Sequence, residues 1–215
     1  MMFPAEGVMF LKDLCKNNNK IWFQKNKKPY ECTVKEPAKR LASLIAHDLE
    51  AELRVPIQHK VFRINRDLRF SKDKTPYNTH IRFSFWSRGN TTPKEMPAFH
   101  ISIEPEYWIA GAGCLQMCPV MLSKFRTALK DTEKVRSLNN LITTAQKAGA
   151  YLDDPELKRV PVGVRVDHPE AVHFRRKSLI AWCRSPYAAH DLHSHEIQKI
   201  TSQITPVYRW LINLQ

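Results

Sequence analysis

The sequence predicts an α+β fold in a single domain: a central antiparallel sheet, with N-terminal and C-terminal helices packed on it. Three observations predict it. Apolar residues recur at helical spacing near both ends of the chain. In the middle, apolar and polar residues alternate over Ile81–Ser87 and again over Ala98–Glu104. The connections between these segments are short, and short connections join antiparallel strands, because parallel pairs need long crossovers.

Taken in order, Val8, Leu11, Leu14 and Cys15 mark a first helix, which Asn17-Asn18-Asn19 breaks while offering an N-cap to the next one. Ile21-Trp22-Phe23 reads as a short helix locked onto the core, with a ligand-stacking Trp22 as the alternative. Tyr30, Val34, Ala38, Leu41, Ile45 and Leu49 form the stripe of an amphipathic helix ending before Pro56. Pro37 marks either a kink in it or its first turn. Lys35, Glu36, Lys39 and Arg40 form its solvated face.

Val61, Phe62 and Ile64 suit a strand. In Ile81–Ser87, Ile81, Phe83 and Phe85 face one way, and Arg82, Ser84 and Trp86 the other. Arg88-Gly89-Asn90 and Pro93 to Pro97 make a turn-rich connection. Then Phe99, Ile101 and Ile103 oppose His100, Ser102 and Glu104, and Tyr107 to Ala110 is a fourth strand. Gly111-Ala112-Gly113 reads as a tight turn; it lacks the third glycine and the Lys-Ser/Thr of a phosphate-cradling P-loop. Pro119 opens a helix with Met121, Leu122, Phe125 and Leu129 buried, and another spans Thr132 to Lys147, ending near Gly149. Residues 151–178 read as loops or short helices, with a strand over Val162 to Val166. A last helix begins near Ser194, with Ile197, Ile200, Ile204, Val207 and Leu211 as its stripe, disturbed by Pro206.

Composition bounds the function. The 215 residues are 43% hydrophobic and 26% charged, ordinary for a soluble globular domain with a sizeable core. No apolar run is long enough to span a membrane, and the N-terminus lacks the basic and apolar regions of a secretory signal. Five scattered cysteines argue against a disulfide framework and for a reducing cytoplasm. Cys114 and Cys118 read as small buried residues rather than a zinc pair. The net charge of +13 favours polyanionic partners, nucleic acid or a phosphorylated small molecule.

The chemistry concentrates in Val61–Tyr77, VFRINRDLRFSKDKTPY. Arg63, Arg66, Arg69, Lys72 and Lys74 crowd together, and Ser71, Asp73, Thr75 and Pro76 are turn formers that fold them around a point. From residue 63 to 88 there are 7 Lys/Arg and 2 acids, so neighbouring carboxylates leave cations over. Arginine suits phosphate because its planar fork donates two parallel hydrogen bonds. The candidate ligand-binding residues are therefore Arg63, Arg66, Asp67, Arg69, Lys72, Lys74, Tyr77 and Arg82, with Asp67 orienting an arginine and Tyr77 or Trp86 stacking. Two alternatives stand beside this reading. An enzyme acting on a small anionic substrate would use the same cations, with Asp67, Glu104 or His100 as acid–base groups. Otherwise the loop is an internal salt-bridge brace, and function lies in partner contacts. Asp167, His168 and His173 are further acid–base candidates, but they lie in a separate proline-punctuated stretch. His190 to Glu196 carries metal-ligand types at a spacing that matches no zinc template; it reads as a polar entry to the last helix, and no metal site is expected.

The same segments resemble a bacterial family of conserved hypothetical proteins, domain of unknown function family 2461. The likeness is carried by Phe10-Leu11, Asn17-Asn18, Trp22-Phe23, Lys28-Pro29-Tyr30, Phe62-Arg63-Ile64, the run Arg66 to Tyr77, Gly111-Ala112-Gly113 and the helix containing Arg126. It runs over essentially the whole chain. Asn78 departs from the basic residue that the family pattern leads one to expect after Pro-Tyr. The resemblance implies one compact domain in cytoplasmic bacterial proteins; it implies no reaction, no cofactor and no catalytic residue.

Overall fold

A computed structural model describes residues 2–87, 95–187 and 192–214. Strands β2 (Ile57–Val61), β3 (Ile81–Ser87), β4 (Ala98–Ile103), β5 (Tyr107–Cys114) and β6 (Leu179–Pro186) form a five-stranded antiparallel sheet in chain order. With the helices before and after it, this is an α+β fold. The chain divides into two compact units: Met1–Arg88 with His100–Ala110 and Arg184–Lys199, and Gly89–Phe99 with Gly111–Cys183 and Ile200–Gln215.

In the first unit, β1 (Met2–Phe3) pairs with β7 (Leu192–His193), two short strands that the sequence pattern does not reveal. Helix α1 (Ala5–Lys16) buries Val8, Phe10, Leu11 and Leu14, and leaves Cys15 exposed. Asn19 caps α2 (Lys20–Lys25) by accepting from the Trp22 amide at 2.9 Å. After α3 (Lys27–Pro29), Tyr30–Lys35 winds as a π-helix, with the Glu36 amide reaching Glu31 O five residues back. Helix α4 (Glu36–Leu53) follows, with Pro37 in its first turn. Proline has no N–H for the carbonyl four residues earlier, so it suits the first turn of a new helix, and of the two alternatives for Pro37 the helix start is the one seen, after a π-helical turn. The stripe Leu41, Ile45 and Leu49 is buried, and α4 packs on β2 and β3. Each such side chain contributes about 1.5–3 kcal/mol. Glu50 at the end of α4 accepts from the Ile57 amide at 2.8 Å, tying the helix exit to the first residue of β2.

The strand expected at residues 61–64 lies earlier, at Ile57–Val61. Its residues Gln58, His59 and Lys60 are polar and exposed, so the hydrophobic pattern passes over them. β3 has the predicted bounds and pairs with β2 from Ile57↔Ser87 to Val61↔Phe83. Its alternation holds for Ile81, Phe83 and Phe85, but Ser84 is also buried, bonded to His100 Nδ1 at 2.9 Å. The connection expected over Arg88-Gly89-Asn90 and around Pro93 falls outside the described residues.

In the second unit, the expected turn at Gly111-Ala112-Gly113 is instead the body of β5. Glycine is there for close approach rather than for turning. A Cβ on Gly111 would lie 2.2 Å from the Trp182 ring, and one on Gly113 would lie 2.0 Å from the Leu179 carbonyl oxygen. Gly113 also has φ +146. Helix α5 (Pro119–Ala128) opens at Pro119 as expected, buries Met121 and Phe125, and leaves Leu122 half-buried; α6 (Thr132–Lys147) has its expected bounds and is capped by Asp131. The strand expected over Val162–Val166 does not form: the stretch is turn and bend, and Val162 and Val166 point into solvent. A short helix α7 (Ala171–Phe174) lies in the stretch expected to hold loops or short helices, and it precedes β6, a strand to which the sequence reading assigns no element. Helix α8 (Ser194–Ile212) begins where expected and carries Pro206 inside it. In this unit it sets Tyr208 against Phe99 at 4.6 Å and Trp210 against Phe125 at 6.1 Å, ring centre to ring centre.

Gly113→Ala is expected to cost about 2–3 kcal/mol in chemical denaturation, because a backbone carbonyl cannot yield to the new methyl and the positive φ adds strain. A change within about 0.5 kcal/mol would contradict the close approach of β5 to the chain at Leu179.

Candidate functional site

The basic segment is a long loop between β2 and β3, folded back on itself. The Phe62 amide donates to Arg82 O at 2.9 Å, Asn78 to Ile64 O at 2.7 Å, and Arg66 to Pro76 O at 3.0 Å, with an antiparallel bridge between Asn65 and Tyr77. Residues 67–75 form the tip. The base is anchored from outside: Asn18 Nδ2 donates to Tyr77 O (2.9 Å) while the Tyr77 amide donates to Asn18 Oδ1 (3.1 Å). The Asn17–Asn19 break thus positions the loop as well as capping α2. Tyr77 is 5% exposed, its ring stacked on Phe23 at 4.0 Å. Phe23, Phe10, Tyr30 and Trp22 complete an aromatic cluster, so Tyr77 is an anchor whose ring is already occupied.

One guanidinium organises the tip. Arg66 Nη1 donates to Asp73 Oδ2, to the Thr75 carbonyl (3.2 Å) and to the Thr75 hydroxyl, and Nη2 donates to Ser71 Oγ (3.2 Å). Asp73 also accepts from the Thr75 amide (2.9 Å) and hydroxyl (3.0 Å). These donors, the Thr75 amide foremost and Arg66 next, hold the Asp73 carboxyl down to about 2. Asp67 forms a second pair, accepting from Arg69 Nε (3.0 Å) and Nη2 (2.6 Å); the Arg69 side chain is the main reason its carboxyl lies below the usual range. Lys74 Nζ donates to Leu68 O at 3.0 Å.

The eight candidate ligand-binding residues lie on this loop and, for Arg82, on β3 beside it, whereas the acid–base candidates Asp167, His168 and His173 lie in the second unit. The roles of the eight differ. Arg66 and Arg69 are taken by the two acids of the segment, Asp73 and Asp67. Arg63, Lys72 and Arg82 are exposed and, among the described residues, make no salt bridge. Sequence reasoning passed over Phe70 as a functional residue. It is 95% exposed at the tip, with the Arg69 guanidinium 5.8 Å from its ring centre. An aromatic side chain flanked by Arg and Ser-Lys in a turn-forming stretch was the signal available.

Beside the loop, Glu104 gathers other side chains of the first unit. Ser102 Oγ donates to its Oε1 (2.6 Å), His80 Nδ1 lies 3.6 Å from its Oε2, and the Tyr187 hydroxyl donates to its backbone carbonyl (2.5 Å). Burial, then Arg82, pushes the His80 pKa down, while Glu104 opposes them. Burial also takes His100 down to about 4, which leaves it neutral at pH 7. In the second unit, Asp167 is held by Arg165 (2.6 and 3.0 Å), and buried His173 donates to Asn139 Oδ1 at 3.1 Å. Among the described residues no group of three or more His, Cys, Asp and Glu is placed to hold a metal ion. His190 and Asp191, part of the His-rich segment, fall outside them. No helix among the described residues is long and apolar enough to cross a membrane.

The fold and site together define an α+β protein with an internally braced, basic β2–β3 loop. The chain belongs to the conserved hypothetical protein family DUF2461, whose model matches residues 6–210. A search of curated proteins returns no match.

Arg66→Ala is expected to raise the Asp73 pKa above about 2 but leave it under 3.8, because the Thr75 amide remains as a donor. A carboxyl titration followed by NMR reads this directly. Asp73 is depressed in the folded chain, so its contribution to stability is present above about pH 4 and is lost as pH falls through its folded pKa.

Proposed function

We propose that the protein binds a phosphate-bearing ligand, nucleic acid or nucleotide, through the β2–β3 loop. The observation that carries this reading is the division of cations in the loop and on the adjoining start of β3. Two arginines neutralise its two acids and hold its shape, while Arg63, Lys72 and Arg82 stay exposed. Exposed cations on a pre-shaped backbone suit an anion, because little ordering entropy opposes binding. The net charge of +13 adds long-range attraction for polyanions. All five cysteines are free, which supports a reducing, cytoplasmic setting.

The test is a salt titration of binding to labelled polynucleotides. Affinity falls steeply with salt for the wild-type protein. In Arg63→Ala/Lys72→Ala/Arg82→Ala, whose side chains are exposed and not part of the brace, the log–log slope is expected to shrink by about 2–3. An unchanged slope and affinity would remove the loop as the binding surface.

A second reading, an enzyme acting on a small anionic substrate, draws on Glu104, which gathers His80 and Ser102 beside the exposed Arg82. The binding reading expects Glu104→Gln to leave polyanion affinity unchanged. Turnover of a phosphorylated compound that is lost in folded Glu104→Gln protein would move the assignment to this second reading.

A further inference from the structure

We infer that the tip of the β2–β3 loop is a stacking platform for single-stranded nucleic acid, with Phe70 as the side chain that receives a base. This rests on the anion-binding reading above and names the class of ligand. A phenyl ring left 95% exposed gains nothing for the fold, and it sits within a segment whose cations already favour phosphates. The ring is presented on a fixed backbone. The Ser71 hydroxyl donates to Asp73 O at 2.8 Å, the Lys74 ammonium to Leu68 O at 3.0 Å, and Asp67 Oδ1 accepts from the Arg69 amide at 3.2 Å. An aromatic face held this way receives a flat partner at small entropic cost. At the base of the same loop, Phe62 is 39% exposed with the Lys60 ammonium 5.1 Å from its ring centre, a second pairing of cation and aromatic ring. Aromatic rings interleaved with cations are the signature of surfaces that follow an unpaired strand, stacking bases while the cations track phosphates.

The charges around Phe70 favour a base there. The two acids of the tip, Asp67 and Asp73, are ion-paired to Arg69 and Arg66, and the Arg69 guanidinium lies 5.8 Å from the Phe70 ring centre, so a base stacked on the ring meets no unpaired acid of the tip. Arg63 and Lys72, exposed on the same loop, supply cations for the neighbouring phosphates. A duplex keeps its bases stacked on one another and offers the ring no face. A bilayer would bury the two aspartates together with Phe70, and desolvating those ion pairs opposes insertion.

The experiment compares wild type, Phe70→Ala, Phe70→Leu and Lys72→Ala on short oligothymidylate and oligouridylate, on a duplex of equal length, and on vesicles of phosphatidylserine with phosphatidylcholine. Phe70 touches little of the protein, so its variants are expected to fold. Wild type should prefer the single strands. Phe70→Ala should weaken single-strand binding by about 5- to 100-fold with the salt slope retained, and Phe70→Leu should lose nearly as much, because leucine is apolar but has no π face. Lys72→Ala should instead reduce the slope by about 1. Single-strand affinity within about twofold of wild type in Phe70→Ala, equal affinity for duplex, or partition to vesicles that depends on Phe70 would each overturn the inference while leaving loop cations as an anion site. If no polyanion binds at low salt, the anion-binding reading fails and the inference falls with it.

Discussion

The fork of Arg66 is the contact on which the loop depends. One guanidinium meets a carboxylate, two hydroxyls and a carbonyl, and each of these groups comes from the far side of the tip. Lysine carries its donors on a single nitrogen, so it could not reproduce the two-nitrogen reach by which Nη1 meets Asp73 and Thr75 while Nη2 meets Ser71. The Arg66 side chain is 22% exposed, and charge-assisted bonds at such a half-buried position are worth more than surface ion pairs in open water. Without the brace, the tip would keep only its shorter-range bonds, among them Ser71 to Asp73 O and Lys74 to Leu68 O.

The brace connects to the rest of the first unit by a second, neutral contact. Asn18 reads both backbone groups of Tyr77, and the Tyr77 ring stacks on Phe23. A break between two N-terminal helices, an aromatic cluster and the returning arm of the loop therefore form one continuous arrangement. It explains why conspicuous sequence features far apart in the chain, Asn17-Asn18, Trp22-Phe23 and Thr75-Pro76-Tyr77, belong together. It also separates anchoring from exposure: the ring of Tyr77 is spent on the core, and that of Phe70 is not.

Much of the fold was legible because burial imposes periodicity. β3 and α6 have the bounds their patterns predict, and α5 and α8 start where expected. What was hidden lacks that periodicity or mimics another signal. β2 carries polar residues at three successive positions, Gln58, His59 and Lys60. β5 continues through Gly111 and Gly113, which resemble a turn but make room for Trp182 and the chain at Leu179. β6 is apolar at consecutive positions, Leu179, Ile180 and Ala181, and buried on both faces there, so no alternation marks it. Val162 to Val166 shows the converse: β-branched residues without a partner remain in turns. In the loop, the sequence located the cations and the shortage of acids. It could not assign which arginine meets which acid, because that depends on where Asp67 and Asp73 fall after the chain reverses.

The central claim is that the exposed face of this loop, and not another surface, receives a phosphate-bearing ligand. Backbone and side-chain NMR shifts followed during titration with a short single-stranded oligonucleotide address it most directly. The account predicts saturable changes at Arg63, Phe70, Lys72 and Arg82, with the Tyr77 ring and the Arg66–Asp73 pair left in place. Shifts confined to other parts of the chain, or none at low salt, would contradict it.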